Sequence, residues 1–276
     1  MNYFKLISVF ISLLVICSSS FAQTKLMSYN IRYDTPNDND NWWEYRKNDL
    51  VQLISYYQPD FIGIQEAMPN QLKFMASQLH HYNYIGHGRD GVDTASEGIP
   101  LFYNSNHYTL LDDAVFWLSE TPEKVSKGWD AEYNRIVVYG QFKSKITDQI
   151  IHVFNTHFDH KGTEARLQSA QLLINYIKNN QLMNKHIVLM GDFNSLPSDA
   201  PIKLLEQEFT NSYNLKDSSV YGPIGTFNGF NTIQAVTRQI DYIFTKNIDV
   251  KSYRCIDDRR ANNLHLSDHF PIVIQI

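Results

Sequence analysis

Cysteine is nearly absent from this chain: its 276 residues contain two, Cys17 and Cys255. Loss of the N-terminal segment that carries Cys17 would leave one thiol and no internal disulfide. Stability must then come from an apolar core, and a composition 43% hydrophobic, with 17 Tyr and 16 Phe, can build one. Beyond the N-terminus, no apolar run approaches the ~20 residues that span a bilayer. Blocks of basic residues are lacking too, and the net charge is −5. A tight, sequence-independent grip on long nucleic acid needs a cationic footprint, so no stable nucleic-acid complex is expected. Internal repeats, low-complexity linkers and a Gly-x-Ser-x-Gly elbow are absent, and no cysteine is placed as a nucleophile.

The N-terminus reads as a targeting segment. Lys5 precedes an apolar stretch over residues 6–17, and Ser20-Phe21-Ala22 forms an acceptable cleavage tripeptide. The expectation is a signal peptide over 1–22 and a mature chain over 23–276, exported to a periplasm or secreted. A retained anchor is the alternative. Ile16 is bulky where acylation at Cys17 wants a small residue, which disfavours a lipoprotein.

Short apolar runs alternate with amphipathic stretches. β-Branched and aromatic runs bounded by turn residues predict strands over 25–31, 61–65, 99–103, 136–142, 150–156, 186–190, 240–244, 250–255 and 271–276. Helical spacing predicts helices over 43–57, 70–79, 163–179 and 199–209, with Thr163 as an N-cap. Many strands and few helices imply an α/β fold of two packed sheets with helices outside. Loops over 86–98 and 217–232 carry Gly, Asp, Ser and Asn and read as surface loops near a site.

Polar groups follow the apolar runs in a repeated pattern. Asn30 ends the first strand and Glu66 follows the second. Asn155-Thr156-His157 ends another, with Asp159 and His160 just beyond. Gly191-Asp192-Phe193-Asn194 follows a fourth, Asp241 opens a fifth, and Asp268-His269 precede the last. Each taken singly has a plain structural reading as a turn, cap or solvated charge. Together they do not, because charges at the ends of buried strands cost desolvation unless paired or metal-bound.

The residue types suggest a chemistry. Oxygens of Glu66, Asn30 and Asp268 suit a hard divalent cation that keeps several waters, while oxygen-rich, cysteine-free clusters disfavour structural zinc. Such an ion polarises a phosphoryl oxygen. His269, backed by a carboxylate, would stabilise the same developing charge. Asp192 could orient or deprotonate water, and Asn194 and His157 could donate to nonbridging oxygens. Arg89 and Arg135 are candidates for a phosphate clamp, with ion pairing as the plain alternative. Trp42-Trp43 read as packing under the first helix, and Arg166 as fixing the third helix to the sheet.

With these residues in place, the chain resembles the endonuclease/exonuclease/phosphatase superfamily of metal-dependent phosphoesterases. The matching segments are Ser28-Tyr29-Asn30-Ile31, Ile64-Gln65-Glu66, Asn155-Thr156-His157, Gly191-Asp192-Phe193-Asn194, Ile240-Asp241-Tyr242 and Ser267-Asp268-His269-Phe270-Pro271, in the family's order. The resemblance implies a four-layer α/β/β/α sandwich. It implies Mg²⁺ as the ion, with Mn²⁺ as the alternative, Glu66 as its main ligand with Asn30 close by, and Asp192 as the base for water. It also implies Asn194 on the scissile phosphate, Asp241 paired to His269, and Asp268 supporting that histidine or the metal. One ion or two is left open.

Departures narrow the branch. Members that cut DNA at abasic sites carry an acid where this chain has Arg32 and a Tyr where it has His157. Ser195-Leu196-Pro197 after the Gly-Asp-x-Asn motif is unlike the inositol-phosphatase branch. The expected activity is a phosphodiesterase. The alternatives are a phosphomonoesterase on sugar or inositol phosphates, a nuclease, or a non-enzymatic binding protein. Expected partners are a phosphorylated small molecule, a lipid headgroup or a short oligonucleotide.

Overall fold

The computed structural model describes residues 23–92, 94–214 and 219–276. The expected signal segment, with Cys17, lies outside the described residues. In chain order the strands are β1 (Lys25–Asn30), β2 (Phe61–Gln65), β3 (Tyr82–Ile85), β4 (Leu101–Asn104), β5 (Tyr108–Trp117), β6 (Ile136–Ser144), β7 (Ile150–His157), β8 (His186–Asp192), β9 (Thr210–Asn211), β10 (Ser219–Tyr221), β11 (Asp241–Lys246), β12 (Ser252–Cys255) and β13 (Ile272–Gln275). The helices are α1 (Trp43–Tyr57), α2 (Pro69–Gln78), α3 (Thr163–Asn179) and α4 (Ala200–Glu206), with a short 3-10 helix at Pro36–Asn41.

Two mixed sheets form. One runs β10-β12-β13-β1-β2-β4-β3 and the other β5-β6-β7-β8-β11-β9. Alternation along the strands assigns each side chain to a face. Leu26 packs between the sheets with Phe61, Val153, Val188, Met190 and Ile243. Its neighbour Met27 packs outward with Ile62 and Ile64 against Leu50 and Ile54 of α1 and Met75 of α2. On the other sheet, Leu189 and Phe244 turn outward to Leu173 and Ile177 of α3 and Leu205 of α4. The result is the expected four-layer α/β/β/α sandwich. Strands buried on both faces explain the near-continuous apolar runs in the sequence.

One buried amide ties the sheets together. Asn155 of β7 donates from Nδ2 to the carbonyls of Ile64 and Ile99, each at 2.9 Å, and its Oδ1 accepts from Gln65 Nε2 at 2.7 Å. Gly63 makes room for it, because a Cβ there would lie 2.6 Å from Asn155 Oδ1. Ile99 and Pro100 were expected inside a strand; they precede β4 instead, and their carbonyls serve Asn155.

Other differences are local. β3 and β5, unforeseen in the sequence, edge their sheets. In β5, Asp112 and Asp113 interrupt the apolar pattern and lie exposed, beside a register shift between Leu110 and Asp112. Thr163 is not the cap of α3: Gly162 holds that position, and the first-turn amides of Glu164 and Ala165 donate to the carboxylate of Asp130. Among the described residues, no helix is long and apolar enough to cross a membrane.

Candidate active site

The same alternation that places Leu26, Val153, Val188 and Ile243 between the sheets continues to the strand ends. It carries Asn30, His157, Asp192 and Asp241 into the inter-sheet space at one end of the sandwich. Register fixes them side by side: Asp192 lies opposite His157 on β7 and opposite Asp241 on β11. Asn30 ends the facing sheet, paired with Gln65. Glu66 comes one residue later, and its left-handed backbone, φ 62, turns it into the same space. Gly191 permits the close approach of β7 and β8, since a Cβ there would meet the Thr156 carbonyl oxygen at 2.0 Å.

Hydrogen bonds join these groups across the sheets. Asn30 Nδ2 donates to Glu66 Oε1 at 3.0 Å and to Asp192 Oδ2 at 3.1 Å. Its Oδ1 accepts from the Arg32 amide, so as placed Asn30 turns nitrogen, not oxygen, toward Glu66. The other oxygen of Glu66 accepts from the Tyr33 amide at 3.1 Å. Asp192 Oδ1 accepts from the Asn194 amide at 2.9 Å. Asn194 Nδ2 donates to His157 Nε2 and to the Phe158 carbonyl, at 3.1 and 3.0 Å. Both amide hydrogens of Asn194 are thus committed within the protein, and His157 Nε2 acts as an acceptor.

His269 and Asp241 form a buried pair, Nδ1 to Oδ2 at 2.8 Å. Thr226 donates to the same oxygen at 2.5 Å and accepts from the amides of Ile240 and Asp241. Thr226 sits in an irregular loop, and no local motif in the sequence marks it. The amides of Asn228 and Gly229 donate to the Asp268 carbonyl, so this loop holds the 267–269 segment. Arg46, also unforeseen in this role, is fully buried and donates to the carbonyls of Ile31 and Leu266, tying the segment to the end of β1.

Electrostatics divides the histidines. Burial opposes a charge on His269, yet Asp241 and Asp192 outweigh it and raise its pKa to about 10. Burial, with Arg135 nearby, holds His157 well below 6.5 and therefore neutral. Burial and then Asp241 push Asp192 up to about 7. Burial also raises Asp268; His269 counters it and Glu66 adds to it. Two crowded, desolvated carboxylates held above their usual range form a site that a divalent cation would relieve. Each Glu66 oxygen has one protein donor and keeps a lone pair, so the oxygen-rich donor set fits a hard ion. Ligand atoms of Asp192, Asp241 and His269 lie within 4.8 Å of one another, and this group could also hold a metal ion.

Arg89 and Arg135 line a small concavity with Glu66, Glu97, Gly98 and His157. Neither guanidinium is free: Arg89 pairs with Glu97 at 2.8 Å, and Arg135 with the buried Asp159 at 3.3 Å. Asp159 also accepts from the amides of Lys161 and Gly162, so it organises the turn into α3. His160 Nδ1 accepts from Arg135, and Arg166 donates to the Asp159 carbonyl. A larger groove of ≈ 1430 Å³ lies at the opposite end of the sandwich, where β1 and β2 begin, remote from this cluster.

Comparison with known proteins agrees with the fold. A solved endonuclease/exonuclease/phosphatase from Bacteroides vulgatus is 38% identical, with TM-score 0.86, over 92% of this chain and 98% of that one. The mannosyl-6-phosphatase of Bacteroides thetaiotaomicron is 33% identical, with TM-score 0.86, over 92% and 99%. An uncharacterised protein of Acanthamoeba polyphaga mimivirus is 29% identical over 84% of this chain and 91% of its own length. The chain spans 24–47% of the length of several other curated relatives, among them a probable RNA exonuclease of Saccharomyces cerevisiae. Members of this superfamily hydrolyse phosphoester bonds. With its family model matching residues 27–269, the chain belongs to the endonuclease/exonuclease/phosphatase family.

Proposed function

We propose that the protein is an exported, Mg²⁺-dependent hydrolase of phosphate esters. Asp192 directs water at phosphorus, and His269 stabilises the charge that develops on the phosphoryl group. The observation that carries this reading is the buried contrast at one strand end: a histidine kept protonated beside Asp241 faces, at 3.7 Å, a carboxylate with pKa about 7. Groups whose environments push their pKa values apart are suited to opposite proton roles near neutral pH.

Glu66 and Asp268 would hold the ion, and Asn30 orients Glu66 and Asp192. When bound, a divalent cation polarises a phosphoryl oxygen and offsets its charge. The alternative group of Asp192, Asp241 and His269 is less suited, because His269 is protonated and its Nδ1 is already engaged by Asp241. Asp192, ionised, accepts the proton of the attacking water as the P–O bond to the alcohol breaks, and the departing alkoxide takes a proton from solvent. His269 offers its remaining N–H to the phosphoryl oxygens. Asn194 and His157 line the approach, and donation from Asn194 to a phosphoryl oxygen exchanges one of its present bonds.

His157 and Arg32 set the chain apart from members that cut DNA at abasic sites without choosing between diester and monoester. Two observations favour a phosphomonoester of a sugar. The first is whole-chain similarity to a mannosyl-6-phosphatase. The second is the pair of guanidinia, Arg89 and Arg135, beside Glu66 and His157, which would receive a doubly charged terminal phosphate by sharing or exchanging their present bonds to Glu97 and Asp159. The mature catalytic domain is residues 23–276, released by cleavage after Ala22 into a periplasm or the medium. The test is a panel of p-nitrophenyl phosphate, bis(p-nitrophenyl) phosphate and mannose 6-phosphate with Mg²⁺. Metal-dependent release from the monoesters is expected; no release from any ester with Mg²⁺ or Mn²⁺ would overturn the proposal.

A further inference from the structure

We propose that Arg32 is a built-in cation of this site: it supplies the positive charge that a second divalent ion would otherwise bring, so the cleft binds a single metal ion. The inference rests on the metal reading above.

Arg32 is held in place from every side. Its backbone is left-handed, φ 59, a conformation that non-glycine residues disfavour and that persists where surroundings over-determine it. Its amide donates to Asn30 Oδ1 at 3.0 Å. Its carbonyl accepts from Gln71 Nε2 at 2.9 Å and Arg46 Nη2 at 3.1 Å, both on fully buried side chains. The guanidinium is gripped by both oxygens of Asp38, with Nε at 2.9 Å and Nη2 at 3.0 Å. The Tyr33 ring lies 4.3 Å from the guanidinium carbon.

This clamp leaves Nη1 directed at the metal-ligand candidates. Nη1 stands 3.8 Å from Asp268 Oδ2, too long for a direct hydrogen bond and close enough for strong attraction. Among the described residues, no other Lys or Arg pairs with Asp268, and none pairs with Glu66. A surface ion pair needs no such scaffold, whereas a fixed charge at a catalytic site gains from one. A guanidinium carries its charge at every working pH, so it cannot be titrated away as a histidine could. It also repels an incoming cation, which limits how many ions the carboxylates admit.

The test is Mn²⁺ binding to metal-stripped protein, followed by isothermal titration calorimetry and by the electron paramagnetic resonance of free Mn²⁺. Wild type is expected to bind one ion. In Arg32→Gln the ion should bind roughly three- to tenfold tighter, with a second, weaker ion appearing, because an opposing charge has gone. Arg32→Lys restores the charge and should restore single-ion binding. Turnover should fall in Arg32→Gln even as affinity rises, a split that a merely structural role would not produce. Two ions in the wild type, or unchanged stoichiometry and affinity in a folded Arg32→Gln, would overturn the inference while leaving the hydrolase reading intact. If Arg32→Gln fails to fold, the wild-type count and Arg32→Lys still decide: two ions in either overturn it. A wild type that binds no ion overturns both the inference and the metal reading beneath it.

Discussion

Asp241→Asn is the most informative single change. Asparagine keeps the shape and can still accept from Thr226, but it removes the largest of the charges that outweigh burial at His269. That imidazole sits at about 10 instead of 6.5. The lift corresponds to a ceiling of about 5 kcal/mol at about 1.4 kcal/mol per pKa unit. His157 shows the direction without such support, since burial and then Arg135 hold it well below 6.5. His269 should therefore be neutral at assay pH in the variant. The alkaline limb of kcat/KM, near 10 in the wild type, should move to neutral pH or below, with kcat at about pH 8 reduced by roughly 10²- to 10³-fold. Stability adds a second readout. A folded pKa above the unfolded value stabilises fully below 6.5, and the contribution disappears as pH rises through about 10. Asp241→Asn should thus destabilise the metal-free protein most below pH 6.5 and progressively less toward pH 10. An unmoved alkaline limb together with a pH-independent stability change would refute the assignment of the charge to His269.

Other changes separate the remaining roles. Asp192→Asn should lower kcat by roughly 10³-fold and abolish the acid limb expected at or below about 7 in the pH profile; an unchanged acid limb would remove Asp192 as the base. Glu66→Gln should weaken Mn²⁺ binding by at least about tenfold in calorimetry, with the melting profile of the metal-free protein retained. Arg89→Gln and Arg135→Gln should raise KM for a monoester more than for a diester, about tenfold for each lost charge-assisted contact; equal effects on both would argue against a terminal-phosphate clamp. Asn155→Leu strands the carbonyls of Ile64 and Ile99, which Asn155 reaches from a fully buried position, and should cost about 2–4 kcal/mol in urea denaturation.

Much of the architecture was legible because both sheets are buried on both faces. Runs such as Ile187-Val188-Leu189-Met190 have one physical use, and the polar residues that end them stand out against it. The edges were not legible. β3 and β5 carry Asn and Asp where a central strand would carry valine, because solvent on one side relaxes the pattern and charge there discourages further pairing. Asp192, Asp241 and His269 could be picked out as chemistry-bearing types at strand ends. Their adjacency comes from register, which no local spacing encodes. Thr226 and Arg46 carry no such mark: a loop threonine and a helix arginine gain their importance from the chain segments that fold against them. In the sequence Arg32 stands out only as a departure from a pattern, and its clamp by Asp38 depends on a left-handed turn that tertiary contacts impose. The pairing of Arg89 with Glu97 and of Arg135 with Asp159 likewise depends on loop conformation.

Phosphate release by metal-stripped protein, measured before and after Mg²⁺ is returned, tests the central claim most directly, with Glu66→Gln run alongside. The expected result is no turnover without metal, full recovery on adding Mg²⁺ to the wild type, and little recovery in the variant at the same Mg²⁺ concentration. Undiminished turnover by protein shown by elemental analysis to hold no divalent metal would contradict it.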